Sequence, residues 1–274
     1  MHHIHVAGHR LEVRRHPETR PGAPPVVFLH EGLGSMRQWR DFPARVAART
    51  GAAALAYSRW GYGGSDARPR PWPMDFLDHE AETVLPALLE VTGTTAPVLF
   101  GHSDGATIAL MFASAFPDRV QGVVSEAAHV MLEAISVDGI TRARHRFLHG
   151  DLRARLRVQH GDHVDDTVLG WTENWLRPEF RAWDIRPRLR TIRCPVLLIQ
   201  GRDDDFGTLD QVHAIATHVA GPVERLVLDG CGHVPHRERA GEVLDAAAAF
   251  IEQLCHGPAH DRRMKSADRR RRED

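Results

Sequence analysis

The chain has 274 residues, 42% of them apolar, and a formal net charge of −1 at pH 7, which suits one large α/β domain or a core carrying an inserted subdomain. A nearly neutral chain has no global attraction for nucleic acid or anionic membrane, and no apolar run approaches the length of a bilayer span. The three cysteines, Cys194, Cys231 and Cys255, are scattered, odd in number and outside any C-x-x-C pattern, which argues against a disulfide framework or a zinc site.

The first residues, Met-His-His-Ile-His-Val, have no positively charged segment ahead of an apolar run. No signal peptide is expected, and the expected location is cytoplasmic. Residues 10–15 alternate polar and apolar side chains, the period of a half-exposed strand, paired with residues 3–7. Pro24 and Pro25 introduce Val26-Val27-Phe28-Leu29, a continuous apolar run that suits a strand buried on both faces of a parallel sheet. Similar runs recur at 52–57, 98–100, 120–124, 196–199 and 226–228, with helically spaced segments at 39–49, 75–91, 106–115, 209–219 and 240–254. This alternation predicts an α/β fold with a mostly parallel, doubly wound sheet. Between 129 and 190 there is no buried strand, only amphipathic segments carrying Trp171, Trp175 and Trp183, read as a helical lid inserted between sheet strands. The expected domains are a core of 1–128 and 191–255, a lid of 129–190, and a disordered basic tail from 256 to 274. The tail lacks interleaved aromatics, which favours a solvated segment over a nucleic-acid contact.

The chemistry centres on Gly101-His102-Ser103-Asp104-Gly105, a G-x-S-x-G pattern. The pattern alone is weak, but Val98-Leu99-Phe100 precede it as a strand and residues 106–110 follow as a helix. Strand, sharp turn and helix together make a nucleophile elbow, with Ser103 lifted above the sheet edge at a helix N-terminus. Gly101 and Gly105 lack Cβ atoms, so strand and helix can approach closely there. A serine hydroxyl needs a base to take its proton, and the base needs an orienting partner. His233 follows the strand at 226–228 on the glycine-rich loop Gly230-Cys231-Gly232, with His236 as the competitor that could line the pocket or bond locally. The strand at 196–199 ends at Gly201 and leads into Asp203, Asp204 and Asp205, three acids that chemistry alone does not separate.

From about residue 3 to about residue 254 the chain resembles the α/β-hydrolase superfamily, whose order is serine, acid, histidine. The resemblance implies Asp204 as the acid, three residues after the glycine, and His233 as the base. It also implies an oxyanion loop at His30-Glu31-Gly32-Leu33-Gly34-Ser35, with Glu31 in place of the usual first glycine. The Gly32 N–H is the first choice of donor and the Leu33 N–H the runner-up, beside the Asp104 N–H. The segment from Ser58 to Ser65 resembles the family's glycine-rich loop after the fourth strand. The implied mechanism is two-step acyl transfer without metal or organic cofactor. Ser103 speaks against the dehalogenase and epoxide hydrolase branches, where the resemblance would put aspartate.

Other residues admit two readings. Asp104 could meet a cationic substrate group, but an ion pair or helix cap is favoured. Glu126, following the strand at 120–124, is a candidate for the site rim. Trp171 and Trp175 are candidate substrate-binding residues, although aromatics at near-helical spacing more often pack. Arg142, Arg144, Arg146, Arg153, Arg155 and Arg157 read as solvated faces, one of which could recognise a carboxylate. His2, His3, His5 and His9 read as a surface strand rather than a metal clip.

The expected partner is a small-molecule substrate, with a homodimer as an option and neither nucleic acid nor membrane. The first functional reading is hydrolysis of a small carboxylic ester, thioester or lactone. The second is cleavage of a carbon–carbon bond in a dicarbonyl product of aromatic ring breakdown. That branch commonly carries a tryptophan soon after its histidine, whereas Val234-Pro235-His236 follow here. A catalytically weak small-molecule receptor and peroxide-dependent acyl chemistry complete the alternatives.

Overall fold

The computed structural model describes residues 2–256, so the expected tail lies outside the described residues but for its first, His256, which ends the last helix. The chain begins with an antiparallel pair, β1 (His2–Val6) and β2 (His9–His16). There follow β3 (Val26–Leu29), α1 (Phe42–Thr50), β4 (Ala54–Tyr57), α2 (Phe76–His79), α3 (Leu85–Thr92), β5 (Val98–His102), α4 (Asp104–Ala115) and β6 (Gly122–Glu126). Three helices come next, α5 (Ala134–His149), α6 (Leu152–His160) and α7 (Val164–Trp175). The chain then returns to the sheet with β7 (Val196–Gly201), α8 (Leu209–His218), β8 (Val223–Leu228), α9 (Pro235–Glu238) and α10 (Ala240–His256). No described helix is long and apolar enough to cross a membrane.

The eight strands form one sheet in the order β1-β2-β4-β3-β5-β6-β7-β8, parallel from β4 to β8. The apolar runs divide as a strand's period of two demands. Val27, Leu29, Leu99, Val196 and Leu198 enter one core, under α3, α4 and α8. Val26, Phe28, Val98, Phe100, Leu197 and Ile199 enter the other, under α1 and α10. Each strand can be apolar throughout because neither face meets water.

Some expected boundaries move. The strand expected at 120–124 is β6, Gly122–Glu126, because its ladder with β5 runs from Val98↔Gly122 to His102↔Glu126. The run at 226–228 belongs to β8, an edge strand with Glu224 and Arg225 exposed, so it is not buried on both faces. The helix expected over 75–91 contains a π turn at Glu80–Val84 between α2 and α3. There the buried Glu80 accepts a hydrogen bond from the Tyr57 hydroxyl at 2.8 Å.

Strand order sets the position of the site. From β3 the chain steps to β4 on one side, and from β5 it steps to β6 on the other. Loops leaving the C-terminal ends of β3 and β5 therefore part, and a crevice opens between them. The helices α5 to α7 form an insertion between β6 and β7, with a small core of Phe147, Leu156, Val164 and Val168.

Candidate active site

Ser103 stands between β5 and α4 with φ 54°, a left-handed conformation unusual for any residue but glycine. The strain is held because the elbow is packed from both sides. A Cβ on Gly105 would lie 2.0 Å from the Leu29 carbonyl oxygen, so only glycine lets α4 approach β3 so closely. The Ser103 N–H donates to the Glu126 carbonyl at 2.8 Å and ties the turn to β6.

Above the elbow, Ser103 Oγ lies 3.1 Å from His233 Nε2. His233 Nδ1 lies 2.9 and 2.8 Å from the two carboxylate oxygens of Asp204. Asp204 is buried, and its carboxylate also accepts from Phe206 N–H at 2.8 Å and Gln200 Nε2 at 2.7 Å. Burial alone would raise the Asp204 carboxyl, but His233 and the Phe206 N–H outweigh it and hold it below the usual carboxylate range. Burial pulls His233 down, but the Asp204 charge outweighs it and holds the imidazole above its ordinary value. His102 anchors the histidine loop through Nε2, 2.7 Å from the His233 carbonyl, and burial drives its own pKa to about 3.

The loop expected to receive an oxyanion follows β3. His30 accepts the Arg59 N–H at Nε2 (3.0 Å) and donates from Nδ1 to the Glu31 carbonyl (2.7 Å). Arg59 Nη2 reaches the same carbonyl at 3.0 Å. In a trans peptide C=O and N–H point in opposite directions. Fixing the Glu31 carbonyl inward therefore turns the Gly32 N–H to the opposite side, where Gly32 lines the cavity in front of Ser103. The runner-up donor is engaged elsewhere, since the Leu33 N–H donates to Glu31 Oε2 at 2.9 Å. Burial raises the Glu31 carboxyl above its ordinary range, against the pull of the Leu33 N–H, Arg59 and His233. His160, from the insertion, braces the loop at the Leu33 carbonyl at 2.9 Å. The Asp104 N–H opens α4, at the positive end of the helix.

The cavity in front of Ser103 has a volume of about 150 Å³. Trp171 and Trp175 line it with Ile140, Phe206, His129 and Ser136, whereas Trp183 packs behind, 5.1 Å ring to ring from Trp175. A Cβ on Gly32 would come within 2.2 Å of the Trp171 indole, so the insertion sits directly on the oxyanion loop. The Trp171 indole N–H donates to Asp104 Oδ2 at 2.8 Å, and Arg59 lies 3.7 Å from that oxygen, both charges buried. Burial holds the Asp104 carboxyl above its ordinary range, with Arg59 and the indole N–H opposing. The Asp104 carboxylate is thus occupied structurally, as its favoured reading has it.

Glu126 is not at the rim of the cavity. It is buried at the end of β6, where Oε1 accepts from the His236 N–H (2.7 Å) and lies 2.9 Å from His236 Nδ1. The β5–β6 register places Glu126 beside His102, and α9 brings His236 to meet it. His236 therefore bonds locally and lines no part of the cavity. The six insertion arginines each pair with an acid: Arg142 with Asp205, Arg144 with Glu173, Arg146 and Arg155 with Asp151, Arg153 with Asp165 and Arg157 with Asp162. On the first two strands, His3 bonds the Gly64 carbonyl at 3.0 Å and His9 stacks on Trp60 at 3.8 Å. Sequence reasoning did not find Arg59, His129, Ser136, Ile140, His160 or Phe206 as site residues. None of them lies in a pattern with chemical meaning, although Arg59 sits in the segment after β4 whose resemblance is visible.

A model of the alpha/beta hydrolase family matches residues 26–246. Epoxide hydrolase A of Mycobacterium tuberculosis is 27% identical, over 92% of this chain and 97% of its own. Among solved structures, the enol-lactonase from Burkholderia xenovorans LB400 superimposes with a TM-score of 0.70 at 21% identity, covering 93% of this chain and 100% of its own. A thermophilic esterase from Thermogutta terrifontis superimposes with a TM-score of 0.74 at 17% identity, covering 93% and 99%. At such identities the structural likeness is one of fold, and chemistry must be argued from the site.

Proposed function

Because this chain belongs to the alpha/beta hydrolase family, we propose that it is a serine hydrolase of small carboxylic esters, thioesters or lactones, acting through an acyl-enzyme on Ser103. The observation that carries this reading is the hydrogen-bonded series Ser103–His233–Asp204, facing a cavity that the Gly32 amide also lines. A relative at 27% identity is named an epoxide hydrolase, but Ser103 stands where that branch is expected to carry aspartate.

His233 takes the Ser103 proton as Oγ attacks the carbonyl carbon. Asp204 holds the imidazole in the tautomer with Nδ1–H and steadies the imidazolium that forms. The Gly32 and Asp104 amides receive the oxyanion, each such donor contributing about 3 kcal/mol. His233 then returns the proton to the leaving group, and a water activated by the same histidine cleaves the acyl-enzyme. The helices α5 to α7 act as a lid, with Trp171 and Trp175 as the apolar wall for the acyl group.

Intact-protein mass after incubation with a small fluorophosphonate tests the assignment. Wild type is expected to gain one label per chain and Ser103→Ala none, with p-nitrophenyl esters turned over by wild type only. Equal labelling or equal turnover by folded Ser103→Ala would overturn it.

A further inference from the structure

A second cavity, of about 480 Å³, adjoins the same loop after β3. Glu31 and Leu33 line both cavities, so the two meet there. The rest of the larger groove comes from four arginines, Arg37, Arg40, Arg155 and Arg237, from Gln38 and Gln159, and from apolar side chains of α6. Arg237 lies four positions after His233 and donates to Gln38 at 3.2 Å, which brings the histidine loop to the edge of the groove. The groove therefore adjoins both the loop that would receive the oxyanion and the loop that bears the base.

Its charge is not cancelled. Arg37 has Glu12 at 3.3 Å and Arg155 has Asp151 at 3.7 Å. Arg40 and Arg237 have no carboxylate within 4.0 Å among the described residues, and both are exposed. Glu31 supplies the one carboxylate among the lining residues, and its Oε2 is turned to the Leu33 N–H. A cleft lined by one sign of charge concentrates field and attracts counter-charged ligands. Guanidinium forks match the paired oxygens of carboxylate and phosphate. The exposed Val158 and its apolar neighbours on α6 give an aliphatic linker a surface to lie on.

We propose that this groove binds the anionic arm, carboxylate or phosphate, of an extended substrate whose reacting carbonyl sits at Ser103. The inference rests on the hydrolase reading for the position of that carbonyl. It adds a substrate class: acyl compounds carrying an anionic group beyond a short linker. The small cavity takes the acyl group, and the arginine groove takes the arm.

Three thioesters with one acyl group separate the possibilities: S-butyryl-N-acetylcysteamine (neutral), S-butyryl-6-mercaptohexanoate (carboxylate) and butyryl-coenzyme A (phosphates). Thiol release is measured for wild type and for the double variant Arg40→Glu, Arg237→Glu. Wild type is expected to favour at least one anionic thioester by about tenfold or more in kcat/KM, through KM, with the advantage shrinking as salt rises. The double variant is expected to lose that advantage while turning over the neutral thioester, which has no arm to place in the groove, at the wild-type rate. The favoured arm tells carboxylate from phosphate. Equal use of all three by wild type, or a uniform loss in the variant, would overturn the groove and leave the hydrolase reading standing. Turnover of none would remove the hydrolase reading, and calorimetric titration with coenzyme A and with 6-mercaptohexanoate then judges the groove separately. Binding that the double variant loses supports it, and no binding by wild type overturns it.

Discussion

Three successive aspartates, Asp203, Asp204 and Asp205, differ only in what surrounds them. Asp203 is exposed, and Asp205 is an exposed partner of Arg142. Asp204 is buried against His233. The residue types alone left all three open, and family spacing selected Asp204. Its donors are the Phe206 N–H of the loop that follows it and the Gln200 side chain at the end of β7. Asp204→Asn is expected to lower kcat by about 10³–10⁴, as loss of an orienting carboxylate does, while Asp203→Asn stays near wild type. The pH profile carries a second signature. In the proposed mechanism His233 acts as base only when neutral, and its pKa lies above the ordinary 6.5, so wild-type kcat/KM is expected to rise with pH through a midpoint above that value. Asp204→Asn removes the charge that retains the proton, and the midpoint moves to lower pH. A midpoint that stays in place would show that Asp204 does not face the base during turnover. Glu126 shows the limit of reading single residues. Its place at the end of β6 suggested the site rim, but the side chain is spent on His236.

At the scale of elements, the strands with two buried faces were the most legible, because continuous apolar runs leave little else for them to be. β8 departs from that pattern as an edge strand. The elbow was legible for a different reason: its sequence encodes a steric requirement. Gly105→Ala would bring a Cβ within 2.0 Å of the Leu29 carbonyl oxygen, where neither backbone can yield, so a loss of about 3 kcal/mol or more is expected in urea unfolding. Gly93, at the end of α3, provides the contrast. It has φ +65° with nothing within 4 Å of an added Cβ, so Gly93→Ala meets only the left-handed backbone penalty of about 1 kcal/mol. Similar losses for the two would mean that packing at the elbow is looser than its geometry indicates. The π turn between α2 and α3 has no mark in the apolar spacing. It accompanies Glu80 turned inward to Tyr57, a partner that comes from β4.

At the scale of the whole molecule, the cavity in front of Ser103 lies between the insertion and the sheet edge. Its volume of about 150 Å³ falls below the roughly 300–1,000 Å³ of sites that take drug-sized ligands. For p-nitrophenyl esters, kcat/KM is therefore expected to be highest between acetate and butyrate and to fall by at least about tenfold at octanoate, since the longer chain must displace Trp171 or Trp175. A profile that rises to octanoate would show that the insertion opens in solution. The α/β class, the mostly parallel sheet and a serine at a sharp strand–helix turn were legible in the sequence alone, whereas His233 was preferred to His236 through the family resemblance. The first three rest on local chemistry: runs of apolar side chains and glycines where backbones must touch. Only the tertiary structure decided that the Leu33 N–H is engaged by Glu31, that Asp104 is spent on Arg59 and Trp171, that Glu126 pairs with His236, and that four arginines from separate segments line one groove. Those outcomes depend on contacts between residues far apart in the chain, and such contacts exist only once the sheet order and the insertion have brought them together.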